Sequence, residues 1–238
     1  MKIAMWSGPR NLSTALMYSF GARGDCAVVD EPFYAAYLKL TGLDHPMRAE
    51  ILATQPTDPR QVIAQITGSD PGKKAHFYQK HMTQHMVEGV PRDWMRQVKN
   101  VFLIRHPARV VASYVKKREA PRLDDIGFRQ QAELFEQCRA AGESPLVIDS
   151  ADIRADPAGM LEKLCVALGL DWRPEMLHWP AGGHPDDGVW ASHWYGAVHR
   201  STGFSGPEGD LPILEGAYLS LAEKAMPYFE ALFPYRLT

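Results

Sequence analysis

The stretch Trp6-Ser7-Gly8-Pro9-Arg10-Asn11-Leu12-Ser13-Thr14 constrains this chain more than any other. Ahead of it, Lys2-Ile3-Ala4-Met5 is a short, mainly apolar run; after it, Ala15, Leu16, Ser19 and Phe20 keep helical spacing. The segment therefore joins a buried strand to a helix. A helix N-terminus leaves backbone N–H groups without intrahelical partners and carries partial positive charge, so an anion is held there largely by main chain. Gly8 lets the backbone come close, Ser13 and Thr14 offer hydroxyls, and Arg10 adds a fixed charge. The triphosphatase pattern G-x-x-x-x-G-K-S/T is not met, because Leu12 and Ser13 stand where its second glycine and lysine belong. Taken alone, the stretch serves equally well as a turn capped by Ser or Thr.

Size and charge narrow the partners. The chain has 238 residues, 45% of them hydrophobic and 23% charged, enough for one α/β domain spanning 1–238. With 26 basic and 28 acidic residues there is no bulk field for nucleic acid or an anionic membrane, so anion binding must be local. Cys26, Cys138 and Cys165 are widely separated and cannot all pair, which fits a reduced cytoplasmic location. No run approaches the roughly 20 apolar residues of a membrane span, and no leader pattern opens the sequence.

Further strands are expected at 26–29, 75–80, 101–104 and 145–148. The first of these ends in Asp30-Glu31-Pro32, which puts a carboxylate at the crevice end of a parallel sheet, where Glu31 is either a base or a cap for the helix that Pro32 begins. The next delivers Lys80 and His81 to the same edge. His81 and His85 lack the intervening Glu of the zinc-protease helix, so no metal site is expected. The run Val101-Phe102-Leu103-Ile104 leads into Arg105-His106-Pro107 and an amphipathic helix bearing Ser113. Arg105 and Ser113 thus form a second pair of anion donors, with an ion pair and an exposed hydroxyl as the alternative. The basic run Lys116, Lys117, Arg118, Arg122 reads as a solvated face.

Residues 41–74, rich in Gly, Pro, Asp and Thr, read as a surface insertion with one helix at 59–67. Helices are also expected at 127–141, after Asp156-Pro157, and at 212–233. Residues 172–209, rich in Trp, His, Gly and Pro, read as an aromatic lid.

With both motifs in view, the sequence resembles the sulfotransferases that use 3′-phosphoadenosine 5′-phosphosulfate. Their first motif, P-K/R-x-x-S/T-T after a strand, is similar to Pro9-Arg10-Asn11-Leu12-Ser13-Thr14. Their second, R-x-P with a serine eight residues after the arginine, is similar to Arg105-His106-Pro107 with Ser113. The resemblance implies that the first binds the 5′-phosphosulfate and the second the 3′-phosphate. The frame of their Y-E-D-L-x-x-D-P is similar to residues 150–157, and Arg200-Ser201-Thr202-Gly203 resembles their nucleotide-closing R-K-G-x-x-G loop. Glu31 matches an acidic base of some branches. Lys80-His81 falls near the K-x-H of others.

The implied fold is a P-loop-containing three-layer α/β/α sandwich with a central, mainly parallel sheet. The implied reaction is in-line transfer of a sulfuryl group to a hydroxyl or amine of a small-molecule, sugar or lipid acceptor. Arg10 stabilises the leaving charge, Glu31 or His81 takes the proton, and no metal clamp is required. Two other readings stand beside it: a P-loop kinase using ATP and magnesium, and a catalytically silent nucleotide-binding interaction module.

Overall fold

A computed structural model describes residues 1–68, 71–116 and 120–238. Of the basic run, Lys117 and Arg118 lie outside the described residues. Five strands form one all-parallel sheet: β1 (Lys2–Ser7), β2 (Cys26–Asp30), β3 (His76–Met82), β4 (Lys99–Ile104) and β5 (Leu146–Asp149). Their spatial order is β2-β3-β1-β4-β5. The chain leaves β1 toward one side of the sheet and, after β3, resumes on the other at β4. Its switch point is therefore the carboxyl end of β1, where open α/β sheets bind ligands.

Side chains alternate across the sheet. Ile3 and Met5 pack with α1 (Ser13–Gly21) and α9 (Pro157–Leu168), whereas Ala4 and Trp6 face the opposite layer. That second layer contains α5 (Pro107–Tyr114), α7 (Phe128–Ala140) and α11 (Gly216–Leu232). The remaining short helices are α2 (Tyr34–Thr41), α3 (Arg48–Thr54), α4 (Pro59–Thr67), α6 (Leu123–Ile126), α8 (Ser150–Ala155) and α10 (Ala191–Trp194), while α9 spans Pro157–Leu168. In α9, Asp156 caps the first turn by accepting from Gly159 N, Pro157 opens the helix and Gly169 closes it at φ 72°.

Residues 41–74 do more than cover the surface. They bring Ile51, Val62 and Ile66 into the interior, each no more than 2% exposed. The unforeseen α3 exists because Ile51 has a place to be buried beside Tyr34 and Trp190. The aromatic residues of 172–209 are likewise packed, with Trp190 only 1% exposed, so this segment is seated on the sheet's end.

Candidate active site

A cavity of about 260 Å³ lies across the carboxyl ends of β1, β2, β3 and β4. One end is built by the β1–α1 loop. Pro9, Arg10, Asn11, Leu12, Ser13 and Thr14 all border it. Leu12 occupies the N-cap of α1 and no side chain caps this helix. The capping alternative for Ser13 and Thr14 is thereby removed, and the first-turn N–H groups are left for a ligand. Asn11 pins the loop instead: its Nδ2 donates to Leu103 O at 3.0 Å and its Oδ1 accepts from Leu12 N at 2.8 Å. Gly8 does not border the cavity. A Cβ there would sit 2.5 Å from Ile126 O, so its bare backbone serves the approach of the chain at α6.

Arg10 adopts a φ of 59°, uncommon for a residue with a side chain. Its Nε donates to Ser113 Oγ at 3.1 Å, joining the two anion motifs directly. Arg105 NH1 donates to Arg10 O at 2.6 Å. Burial and the neighbouring Arg105 guanidinium both press the Arg10 pKa down. Among the described residues no carboxylate pairs with Arg10. A partly buried guanidinium beside another one, without its own anion, marks a place where a bound anion lowers the free energy.

The other end of the cavity carries the acid–base groups. Glu31 has a φ of 40°, held by its N–H donating to Lys80 O at 3.0 Å and by Gln55 Nε2 donating to its carbonyl at 3.2 Å. Gln55 is supplied by the end of α3. Such positions persist only where surrounding contacts over-determine them, and they concentrate at functional sites. Lys80 Nζ donates to Asp30 Oδ1 at 2.8 Å and Glu31 Oε1 at 2.7 Å. Burial pulls the ammonium's pKa down, but these two carboxylates outweigh it and hold Lys80 charged. Burial raises the Glu31 pKa, and Lys80 opposes this only in part.

Tyr195, from the aromatic segment, closes the group. Its hydroxyl accepts from Trp190 Nε1 at 2.9 Å and from Lys80 Nζ, and lies 2.8 Å from Asp30 Oδ2 and 3.1 Å from Glu31 Oε1. Burial raises the phenol's pKa well above its usual value, with Asp30 and Glu31 adding to the effect, so it stays protonated and donates. His85 also borders this end, its Nε2 3.9 Å from Glu31 Oε2 and its ring in contact with those of Tyr34 and Tyr37.

The structure corrects the placement of His81. Strand β3 runs on to Met82, so Lys80 and His81 are consecutive strand residues and point to opposite faces. Lys80 reaches the cavity. His81 is 1% exposed, stacks on Trp6 at 4.5 Å and shares a hydrogen bond of 3.1 Å with Gln79 Oε1 in the α7 layer. The R-K-G-like stretch is divided too. Ser201 and Gly203 border the cavity, whereas Arg200 and Thr202 are exposed and do not. Gly203 instead pairs with His178, and Thr202 O accepts from Trp179 N at 3.2 Å.

Buried imidazoles also set a pH dependence of stability. Burial pushes the His81 pKa down to about 3, and that of His85 lies well below 6.5 for the same principal reason. Depressed folded-state values mean that their contribution is complete above about pH 6.5 and is lost as pH falls toward the folded pKa. Each histidine then costs about 1.4 kcal/mol per pH unit. Urea unfolding is expected to show a clearly lower midpoint at pH 5 than at pH 7. Equal midpoints would contradict neutral burial of both rings.

Comparison with known proteins follows the same lines. Residues 1–235 match the model of the sulfotransferase domain. The chain belongs to the sulfotransferase domain family. Two Arabidopsis thaliana relatives, the branched-chain-amino-acid aminotransferase-like proteins 2 and 1, are 36% and 37% identical over 97% of this chain. The match covers 41% of each, so the sulfotransferase chain spans about two fifths of the length of the curated relatives it matches. Among solved structures, the sulfotransferase domain from the curacin biosynthetic pathway is 17% identical with a TM-score of 0.49, covering 99% of this chain and 98% of that one. Among the described residues, no helix is long and apolar enough to cross a membrane.

Proposed function

We propose that this sulfotransferase uses 3′-phosphoadenosine 5′-phosphosulfate and transfers its sulfuryl group to a hydroxyl or amine, with Glu31 as the base. The observation that carries this reading is the pairing, across one cavity, of an uncapped helix N-terminus beside Arg10 with a buried carboxylate, Glu31. When bound, the donor supplies a sulfuryl group on a phosphate oxygen. The first-turn N–H groups of α1 would hold the 5′ end, and Arg10 would stabilise the charge that grows as the S–O bond breaks. The acceptor oxygen or nitrogen forms the new bond to sulfur and releases its proton to Glu31 Oε2, the oxygen not engaged by Lys80. Lys80, shared between Asp30 and Glu31, keeps one negative charge in balance and orients the base.

His81 has no part in this scheme, because its ring lies in the core layer. The lining of Tyr34, His85, Trp194 and Tyr195 favours a flat or amphipathic acceptor such as a phenol, a sugar or a lipid headgroup. Cys26, Cys138 and Cys165 are all buried and unpaired, which supports a reducing, cytoplasmic setting.

The donor assignment is tested by calorimetric titration with adenosine 3′,5′-bisphosphate and, separately, with ATP plus magnesium. Bisphosphate is expected to bind, and Arg105→Ala to weaken it by about 1.5–3 kcal/mol through loss of a charge-assisted contact. Binding of ATP with magnesium in its place would refute the donor assignment.

A further inference from the structure

Three guanidiniums from three different elements meet on one carboxylate beside the donor end of the cavity. Arg105 follows β4, Arg109 lies on α5 and Arg154 on α8. The carboxylate is that of Glu208, whose side chain is 4% exposed. Arg105 Nε and Arg154 NH1 donate to Glu208 Oε1 at 3.1 and 3.0 Å, Arg105 NH2 reaches the same oxygen, and Arg109 Nε lies 2.7 Å from Oε2. Among the described residues these three arginines form ion pairs with no other carboxylate, so three cations share a single negative charge.

Glu208 belongs to a stretch, residues 205–215, that forms no helix or strand. Its immediate neighbours at 205–207 and 209–211 are exposed. Leu214 packs against the core at one end of the stretch, and the same set of arginines ties down the part around Glu208. Arg154 Nε donates to Gly206 O at 2.8 Å, Arg109 NH1 to Asp210 O at 3.3 Å, and Arg109 NH2 to Gly209 O. The strap therefore rests on the guanidiniums through one buried carboxylate and three carbonyls.

Arg105 is also the residue that joins this nest to the cavity, through its bond to Arg10 O. A phosphate monoester brings close to two negative charges at neutral pH and three acceptor oxygens. Three forked guanidiniums match that better than they match one carboxylate. We propose that Glu208 is the resident anion of the donor's 3′-phosphate subsite, and that the phosphate exchanges with its carboxylate on Arg105, Arg109 and Arg154, freeing the 205–215 strap. The inference rests on the donor reading above and adds to it an internal competitor. It also assigns Arg109 and Arg154 as ligands of the incoming phosphate.

The exchange is read with adenosine 3′,5′-bisphosphate and adenosine 5′-phosphate as probes, without any acceptor. An occupant that holds the subsite in nine molecules of ten weakens apparent affinity about tenfold. Glu208→Gln is therefore expected to bind the bisphosphate about tenfold more tightly than the unmodified chain, with affinity for the 5′-monophosphate unchanged. In the unmodified chain, hydrogen exchange across 205–215 is expected to rise when the bisphosphate binds, a readout that stands even if the variant does not fold. Equal bisphosphate affinity in both proteins, with exchange across 205–215 unchanged or slowed on binding, would overturn the exchange while leaving the donor assignment intact. Weaker binding by a folded Glu208→Gln protein would also overturn it, making Glu208 a support for the site. Failure of the unmodified chain and the variant alike to bind the bisphosphate would remove the donor assignment and this proposal together.

Discussion

Replacing Arg10 by alanine is expected to slow sulfuryl transfer by about 10²–10³-fold, the usual cost of removing one donor aimed at developing negative charge. The chain is expected to stay folded. Arg10 is half-buried, its side chain donates to Ser113 Oγ, and alanine meets the same backbone demand at φ 59° as arginine does. Arg10→Lys should not restore the rate fully, because an ammonium keeps the charge but loses the planar fork that can serve Ser113 and a donor oxygen together. The measurement is release of adenosine 3′,5′-bisphosphate from the donor in the presence of a panel of phenols and alcohols, with circular dichroism as the folding control. Turnover within a few-fold of the unmodified chain would exclude Arg10 from charge stabilisation.

Glu31→Gln is the second large effect. Loss of a positioned general base typically costs about 10²–10⁴ in rate, and glutamine keeps the shape of the side chain and an acceptor for Lys80. The pH profile separates a base from a structural residue. Burial raises the Glu31 pKa, so transfer should climb with pH on an acidic limb displaced upward from the ordinary carboxylate range, and level off once Glu31 is ionised. In Glu31→Gln that limb should vanish together with most of the rate. A variant that loses rate but retains the limb would move the base elsewhere. His85 would then be next in line, since its ring borders this end of the cavity with Nε2 3.9 Å from Glu31 Oε2.

Both predictions concern residues in left-handed backbone conformations, Arg10 and Glu31, one at each end of the same cavity. The β1–α1 loop holds the first against Ser113 and Arg105, and Gln55 with the Lys80 carbonyl holds the second. Local strain of this kind costs of order 1–3 kcal/mol each. It is sustained by contacts from α3 and α5, elements that lie far from these residues in sequence. Changes at Gln55 therefore act on the base without touching the acceptor.

Local order along the chain was enough to reveal the five strands, the strand-to-helix turn after β1 and the strand-to-helix unit after β4 that carries Arg105 and Ser113. Each depends on side chains within a few residues of one another, where periodicity and capping chemistry operate. Asp156-Pro157 and Gly169 bounded α9 for the same reason. Lys80 and His81 show where that reading stops. Which of two adjacent residues faces the cavity depends on where the strand ends, and β3 continues two residues past Lys80 because β1 pairs with it through Met82.

Folding alone joined the groups that are distant in sequence. Tyr195 reaches Asp30, Glu31 and Lys80 from a segment without regular spacing, and Glu208 meets Arg105, Arg109 and Arg154 from a strap without secondary structure. No period or motif announces such contacts, since they arise from the path of the chain over the sheet's end. Arg200, which the resemblance placed over the nucleotide, is exposed and does not border the cavity, whereas Arg105 does, with Arg109 and Arg154 joined to it through Glu208. Short-range chemistry settles which backbone turns can hold an anion, while long-range packing decides which charged side chains are brought to them.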